Sequence, residues 1–166
     1  MYIRGKDKVA LVRAIKEARV DIFGSSQNER GWKYYVGDKK NIVIHDPVSY
    51  EEALRIMRRS KIVLNSCPWI VYGGHERAFS GLASGALVIT NENDFMSKYF
   101  TNNESIVFYR YGNLDLLDQC INEYLVNDAR RELVVKYGRD QVMKYHTWDQ
   151  RAQQLLQDLP SILESL

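Results

Sequence analysis

Short apolar runs alternate with stretches of helical periodicity along the whole chain, and that alternation is the pattern of a parallel α/β sheet. Five runs read as strands, at residues 20–23, 41–45, 62–65, 87–90 and 106–109. The second and third are apolar at nearly every position, as expected where helices cover both faces of a sheet. Asp7 can cap a helix over 8–18 that turns Val9, Val12, Ile15 and Ala18 inward. Ser49 and Glu52 form a capping box that opens a helix ending near Ser60. A short helix over 75–84 stops at Gly85, which suits a left-handed C-terminal position. Residues 94–100 form a helical turn. The tail is helical: 114–126 behind Asn113, 129–145 behind Asp128, and a last helix opened by Thr147 with Gln150 and ended near Leu159 by Pro160. The expected fold class is therefore α/β: a Rossmann-like parallel sheet of about five strands, helices on both faces, and a helical C-terminal tail. The sheet order suggested is 3-2-1-4-5, with ligand bound outside the carboxyl ends of the strands.

Composition narrows this only slightly. A chain of 166 residues is the size of one domain and buries about 70% of its unfolded surface. A net charge of +2 is too small for bulk attraction to nucleic acid, so no nucleic-acid partner is expected. Cys67 and Cys120 make no disulfide framework, and the three histidines are too dispersed for a zinc site, so no metal is expected. No leader segment or membrane span is visible. The expected location is the cytoplasm, with peripheral association at the inner membrane face left open.

Two places can meet an anion. The loop from Gly24 to Gly31 is polar and bounded by glycines, so it can pass close to a ligand. Gly73 and Gly74 precede a helix that begins His75-Glu76-Arg77. Free N–H groups at a helix start attract anions. Arg77 can add a bidentate contact to phosphate. His75 can donate to phosphate or sugar, and Glu76 can accept from a sugar hydroxyl.

Taken together, several stretches resemble the C-terminal domain of GT-B group 1 glycosyltransferases, in the spore-maturation-type branch. They are Val20 to Gly24 with Gly31-Trp32, His45 to Glu52, Ser60 to Asn65, Gly74 to Phe79 with Ala83 to Ala86, Ile106 to Tyr109, and His146-Thr147-Trp148. The resemblance implies a domain that binds a nucleotide-diphosphate sugar, UDP- or GDP-linked, without an essential metal or other cofactor. It places Gly24, Ser25 and Ser26 near the phosphates, and His45 and Asp46 near the base. Gly73, Gly74, His75, Glu76 and Arg77 fall at pyrophosphate and sugar. Many group 1 enzymes carry two glutamates about this helix. Here the matching positions are Tyr72 and Ser80, so a ribose contact at Ser80 is uncharged.

The resemblance also implies a partner domain. The acceptor (a glycan, a lipid or a protein) is held in such enzymes by an N-terminal domain, which 166 residues beginning just before the first strand do not include. The expected activity is sugar transfer of the hexosyltransferase kind, incomplete in this chain alone. Two alternatives stand beside it: a non-catalytic nucleotide-sugar-binding or interaction module, and an epimerase-like fragment.

Overall fold

The computed structural model describes residues 2–24 and 31–164, with side chains from Gly5 onward. The order of elements is α1 (Tyr2–Ala14), β1 (Val20–Phe23), α2 (Trp32–Val36), β2 (Ile42–His45), α3 (Tyr50–Arg59), β3 (Ile62–Leu64), α4 (Glu76–Ser84), β4 (Leu87–Asn91), α5 (Asp94–Tyr99), β5 (Val107–Tyr109), α6 (Leu117–Val126), α7 (Asp128–Tyr145) and α8 (Trp148–Glu164). All five strands expected are present, and every pairing among them is parallel.

The order of pairing differs from 3-2-1-4-5. Hydrogen bonds join β1 to β2 in one ladder and β3, β4 and β5 in another. β3 lies beside β4, not beside β2. The cause is which face each crossover uses. Trp32 and Val36 of α2 pack into one apolar cluster, with Leu11, Ile15, Ile121 and Val134. Met57 of α3 packs into the other, with Val63, Leu82 and Val142. Right-handed crossovers over opposite faces move the chain in opposite directions, so β3 is carried away from β2. The alternation of β4 confirms two covered faces: Leu87 and Ile89 face the first cluster and Val88 the second.

Local signals account for most boundaries. Ser49 Oγ accepts from Glu52 N–H and caps α3. Gly85 ends α4 at φ 86°, a conformation that favours glycine. Helix bounds shift at both ends of the chain. The first helix spans Tyr2–Ala14 rather than 8–18, so Asp7 lies inside it and is not its cap. The last helix runs through Pro160 to Glu164. Proline removes one N–H and strains the preceding turn. α8 buries none of its residues, so that turn is free to adjust.

His146 closes the second cluster between α7 and α8. Its ring lies 4.7–6.3 Å from the rings of Phe79, Phe95, Tyr99 and Phe100. Arg151 donates to Nδ1, and buried Nε2 has no hydrogen-bond partner. Burial, then the Arg151 charge, lowers its pKa to about 4. An unfolded histidine titrates near 6.5. Between those values the unfolded chain takes the proton and the native chain does not, so stability falls as pH drops from about 6.5 to about 4. The expected loss is about 1–2 kcal/mol, allowing for the ring's partial exposure. Thermal melts of His146→Gln should fall less over that window than melts of the wild type. Parallel curves would remove His146 as the cause.

Candidate functional site

The start of α4 meets the end of β3 through Arg77 and Asn65 and the start of α3 through Glu76 and Tyr50, while β1 and β2 end side by side. His75 is the N-cap of α4, not a residue of its first turn. Its Nδ1 accepts the Arg77 backbone N–H at 3.1 Å. In the neutral ring the proton then sits on Nε2, which can donate away from the helix. Burial first, then the charges of Arg77 and Lys8, hold the His75 pKa below its ordinary value, which favours that neutral form.

Arg77 is positioned by β3. Its Nη1 donates to Asn65 Oδ1 at 3.3 Å. Asn65 is buried, and its own amide donates to Thr90 Oγ1 at 3.0 Å. Its main-chain oxygen accepts from Tyr109 Oη at 3.3 Å. Burial pushes the Tyr109 hydroxyl up to about 12, so it stays a donor. Among the described residues, Arg77 makes no ion pair with a carboxylate. It is a half-buried cation held by a neutral amide.

Glu76 is committed differently. One carboxylate oxygen accepts from Ser80 Oγ at 2.7 Å and from Tyr50 Oη at 2.8 Å. These bonds, Ser80's first, hold its pKa below the usual carboxylate range. Ser80 therefore braces Glu76. Tyr50 ties the start of α3 to the start of α4.

The two glycines before α4 serve packing. Neither has a positive φ. A Cβ on Gly74 would lie 2.4 Å from the Phe79 ring and 2.9 Å from Met96 Sδ, so any larger residue must push these side chains aside. Gly73 O accepts from Asn93 Nδ2 at 3.1 Å, which anchors the loop to the start of α5. Gly24 N–H donates to His45 O at 3.1 Å. Ser25 and Ser26 lie outside the described residues. The His45 ring bonds Asp21 and stacks on Phe23. Asp46 follows it in the β2–α3 loop.

Sequence reading passed over Lys8, Asn65, Tyr50 and Phe23. Lys8 Nζ lies 5.8 Å from the centre of the Trp69 ring, in the loop after β3. Together with its effect on His75, this makes Lys8 a second cation near α4. The missed signal was position: Phe23 and Asn65 sit at or beside strand ends, Tyr50 opens α3, and Lys8 lies in the helix leading into β1. No group of acidic, histidine and cysteine side chains suited to a metal occurs among the described residues. No described helix is long and apolar enough to cross a membrane.

Comparison with known proteins gives this geometry a setting. The glycosyl transferase-like family model matches residues 6–157. No curated protein matches. Sucrose-phosphate synthase from Thermosynechococcus elongatus is 17% identical with a TM-score of 0.73, over 97% of this chain and 42% of that one. The Anabaena protein HepE, solved with UDP-glucose, is 10% identical with a TM-score of 0.71, over 92% of this chain and 44% of that one. The C-terminal domain of a group 1 glycosyl transferase, LpcC of Francisella tularensis, is 15% identical with a TM-score of 0.59, over 70% of this chain and 59% of that domain. At these identities the likeness establishes the fold alone, a glycosyltransferase-type α/β fold with parallel sheets. The chain spans less than half of the first two relatives.

Proposed function

The chain belongs to the glycosyl transferase-like family, and from that premise we propose that it is the donor-binding, C-terminal half of a group 1 glycosyltransferase of the spore-maturation-type branch. It holds a nucleotide-diphosphate sugar, UDP- or GDP-linked, for transfer to an acceptor hydroxyl. The acceptor site belongs to an N-terminal GT-B domain. The observation that carries this reading is the Arg77 guanidinium at the amino end of α4, fixed by Asn65 and without a carboxylate partner among the described residues. A half-buried cation at the positive end of a helix dipole attracts an anion.

Arg77, with the positive end of the α4 dipole behind it, stabilises the diphosphate, whose charge grows as the sugar departs. Lys8 adds positive potential from α1. His75 Nε2–H donates to a phosphate or sugar oxygen. Glu76, held ionised by Ser80 and Tyr50, accepts from a sugar hydroxyl. Helix dipole and basic side chains do the work a metal does elsewhere, so transfer is metal-independent. The protein works in the cytoplasm, free or at the inner membrane face.

Calorimetric titration with UDP, GDP, ADP and CMP, each with and without EDTA, tests this. A nucleoside diphosphate should bind at micromolar to submillimolar Kd, unchanged by EDTA, while CMP binds at least tenfold more weakly. Equal binding of mono- and diphosphates would refute the diphosphate site. A second reading, a binding module without catalysis, is favoured by Ser80, which stands where a glutamate is common and is spent on Glu76. It predicts nucleotide binding with no transfer when a partner domain is supplied.

A further inference from the structure

Three polar residues, Thr90 and Asn91 at the end of β4 and Asn93 just beyond it, grip the connection that leads from β3 into α4. Asn65 follows Leu64, which pairs with Ile89, and its N–H donates to Ile89 O at 2.9 Å. The period of two along a strand puts Asn65 on the face of Val63 and Thr90 on the face of Val88, the face that α4 covers. Both are buried, and Asn65 Nδ2 donates to Thr90 Oγ1 at 3.0 Å. Buried Asn91 accepts the Cys67 N–H through Oδ1 at 2.8 Å. Asn93 Nδ2 donates to Ile70 O at 2.7 Å and to Gly73 O at 3.1 Å. The chain from Asn65 to Gly73 is thus tied down along its length, and α4 begins just after it.

The first of these ties reaches the anion site. A guanidinium only donates, so Arg77 Nη1 requires the carbonyl oxygen of the Asn65 amide. The amide presents Oδ1 to Arg77 by turning Nδ2 toward β4, where a buried N–H needs an acceptor. Thr90 Oγ1 is that acceptor. Valine at this position would fill the same space and leave the amide unpaired, which favours other orientations of the Asn65 side chain. Asn65 is also neutral, so the tie orients the guanidinium and leaves its charge to a ligand.

We propose that Thr90 is a positioning residue for the anion site: through the Asn65 amide it fixes the Arg77 guanidinium at the start of α4. The proposal rests on the diphosphate reading above and adds to it a residue, itself too buried to touch the ligand, that sets the geometry of the cation.

Titration of this chain with UDP and with inorganic pyrophosphate, followed by amide NMR shifts so that millimolar affinities can be read, tests this in a double-mutant cycle. Thr90→Val should bind both probes about 2- to 10-fold more weakly, the range set by one neutral hydrogen bond. Thr90→Ser keeps the hydroxyl and should bind as wild type does. In an Arg77→Ala background, Thr90→Val should change neither affinity, because the residue acts only through the guanidinium. Asn65→Asp keeps the test open if Thr90→Val does not fold: a carboxylate against Arg77 takes up its charge and should weaken both probes about tenfold or more. If Thr90→Val weakens binding equally with and without Arg77, its role is structural and the proposal falls. Wild-type affinity in folded Thr90→Val, or in Asn65→Asp, also ends it, while the diphosphate reading stands. If wild type binds neither probe, both fall.

Discussion

Gly138→Ala should destabilise the protein by about 3 kcal/mol, although it replaces glycine with the best helix former. Gly138 lies within α7, where alanine alone would be worth roughly 1 kcal/mol in helix propensity. Sterics oppose that gain. A Cβ at this position would lie 2.1 Å from Ser105 O and 2.7 Å from Leu82 Cδ2. The first of these is backbone, in the segment leading into β5, and it cannot rotate away. Ser105 and Leu82 are both buried, and Ser105 Oγ also bonds the Thr101 backbone. The helix must shift outward, loosening α7 from α4 and β4. Overpacking costs of 1–3 kcal/mol and above are usual, and backbone clashes lie at the upper end. The expected fall in Tm is about 6–12 °C. Gly5→Ala is the contrast. Gly5 sits in α1 with nothing within 4 Å of a new Cβ, so it should keep the propensity gain and melt no lower than wild type. A Gly138→Ala protein as stable as wild type would mean that α7 does not pack this closely.

That glycine also marks what the sequence conceals. The strands were legible because each is a short apolar run between polar turns, and α3 because Ser49 and Glu52 announce its start. Gly85 announced the end of α4. Gly138 carries no such signal: a glycine inside a helix reads as a local weakness until the neighbouring segment is in place. The sheet order was hidden for a related reason. It depends on which face α2 and α3 cover, and Trp32, Val36 and Met57 are equally apolar in sequence. Pro160 read as a stop because proline breaks buried helices, whereas the α8 it interrupts is exposed.

The helix that carries the candidate site was legible in the sequence, and the local bonds of its side chains were not. His75, Glu76 and Arg77 do open a helix at the carboxyl edge. However, His75 turns its Nδ1 to the helix and caps it, and Glu76 turns to Ser80 and Tyr50. Gly74 read as a place where a phosphate can come close; a Cβ there would also meet Phe79 and Met96, a packing role the sequence does not announce. Such assignments depend on contacts between distant segments. Lys8 and Asn65 show the same limit, since nothing in their own neighbourhoods ties them to Arg77.

Arg77→Ala should weaken UDP and pyrophosphate binding by about 10- to 150-fold while leaving the fold intact. A hydrogen bond to a charged group is worth about 1.5–3 kcal/mol, which sets that range. Bidentate guanidinium–phosphate geometry would place the loss toward the upper end. Little stability is at risk, because Arg77 makes one side-chain bond, to Asn65, and Asn65 keeps its bond to Thr90. Alanine also favours the helix interior. Arg77→Lys distinguishes charge from geometry. An ammonium keeps the attraction and loses the planar fork, so its affinity should fall between alanine and wild type. Raising the salt concentration should weaken wild type more than Arg77→Ala, since partly exposed charges are screened. Wild-type affinity for both probes in Arg77→Ala, with the helix folded, would place the anion elsewhere and return α4 to a structural role.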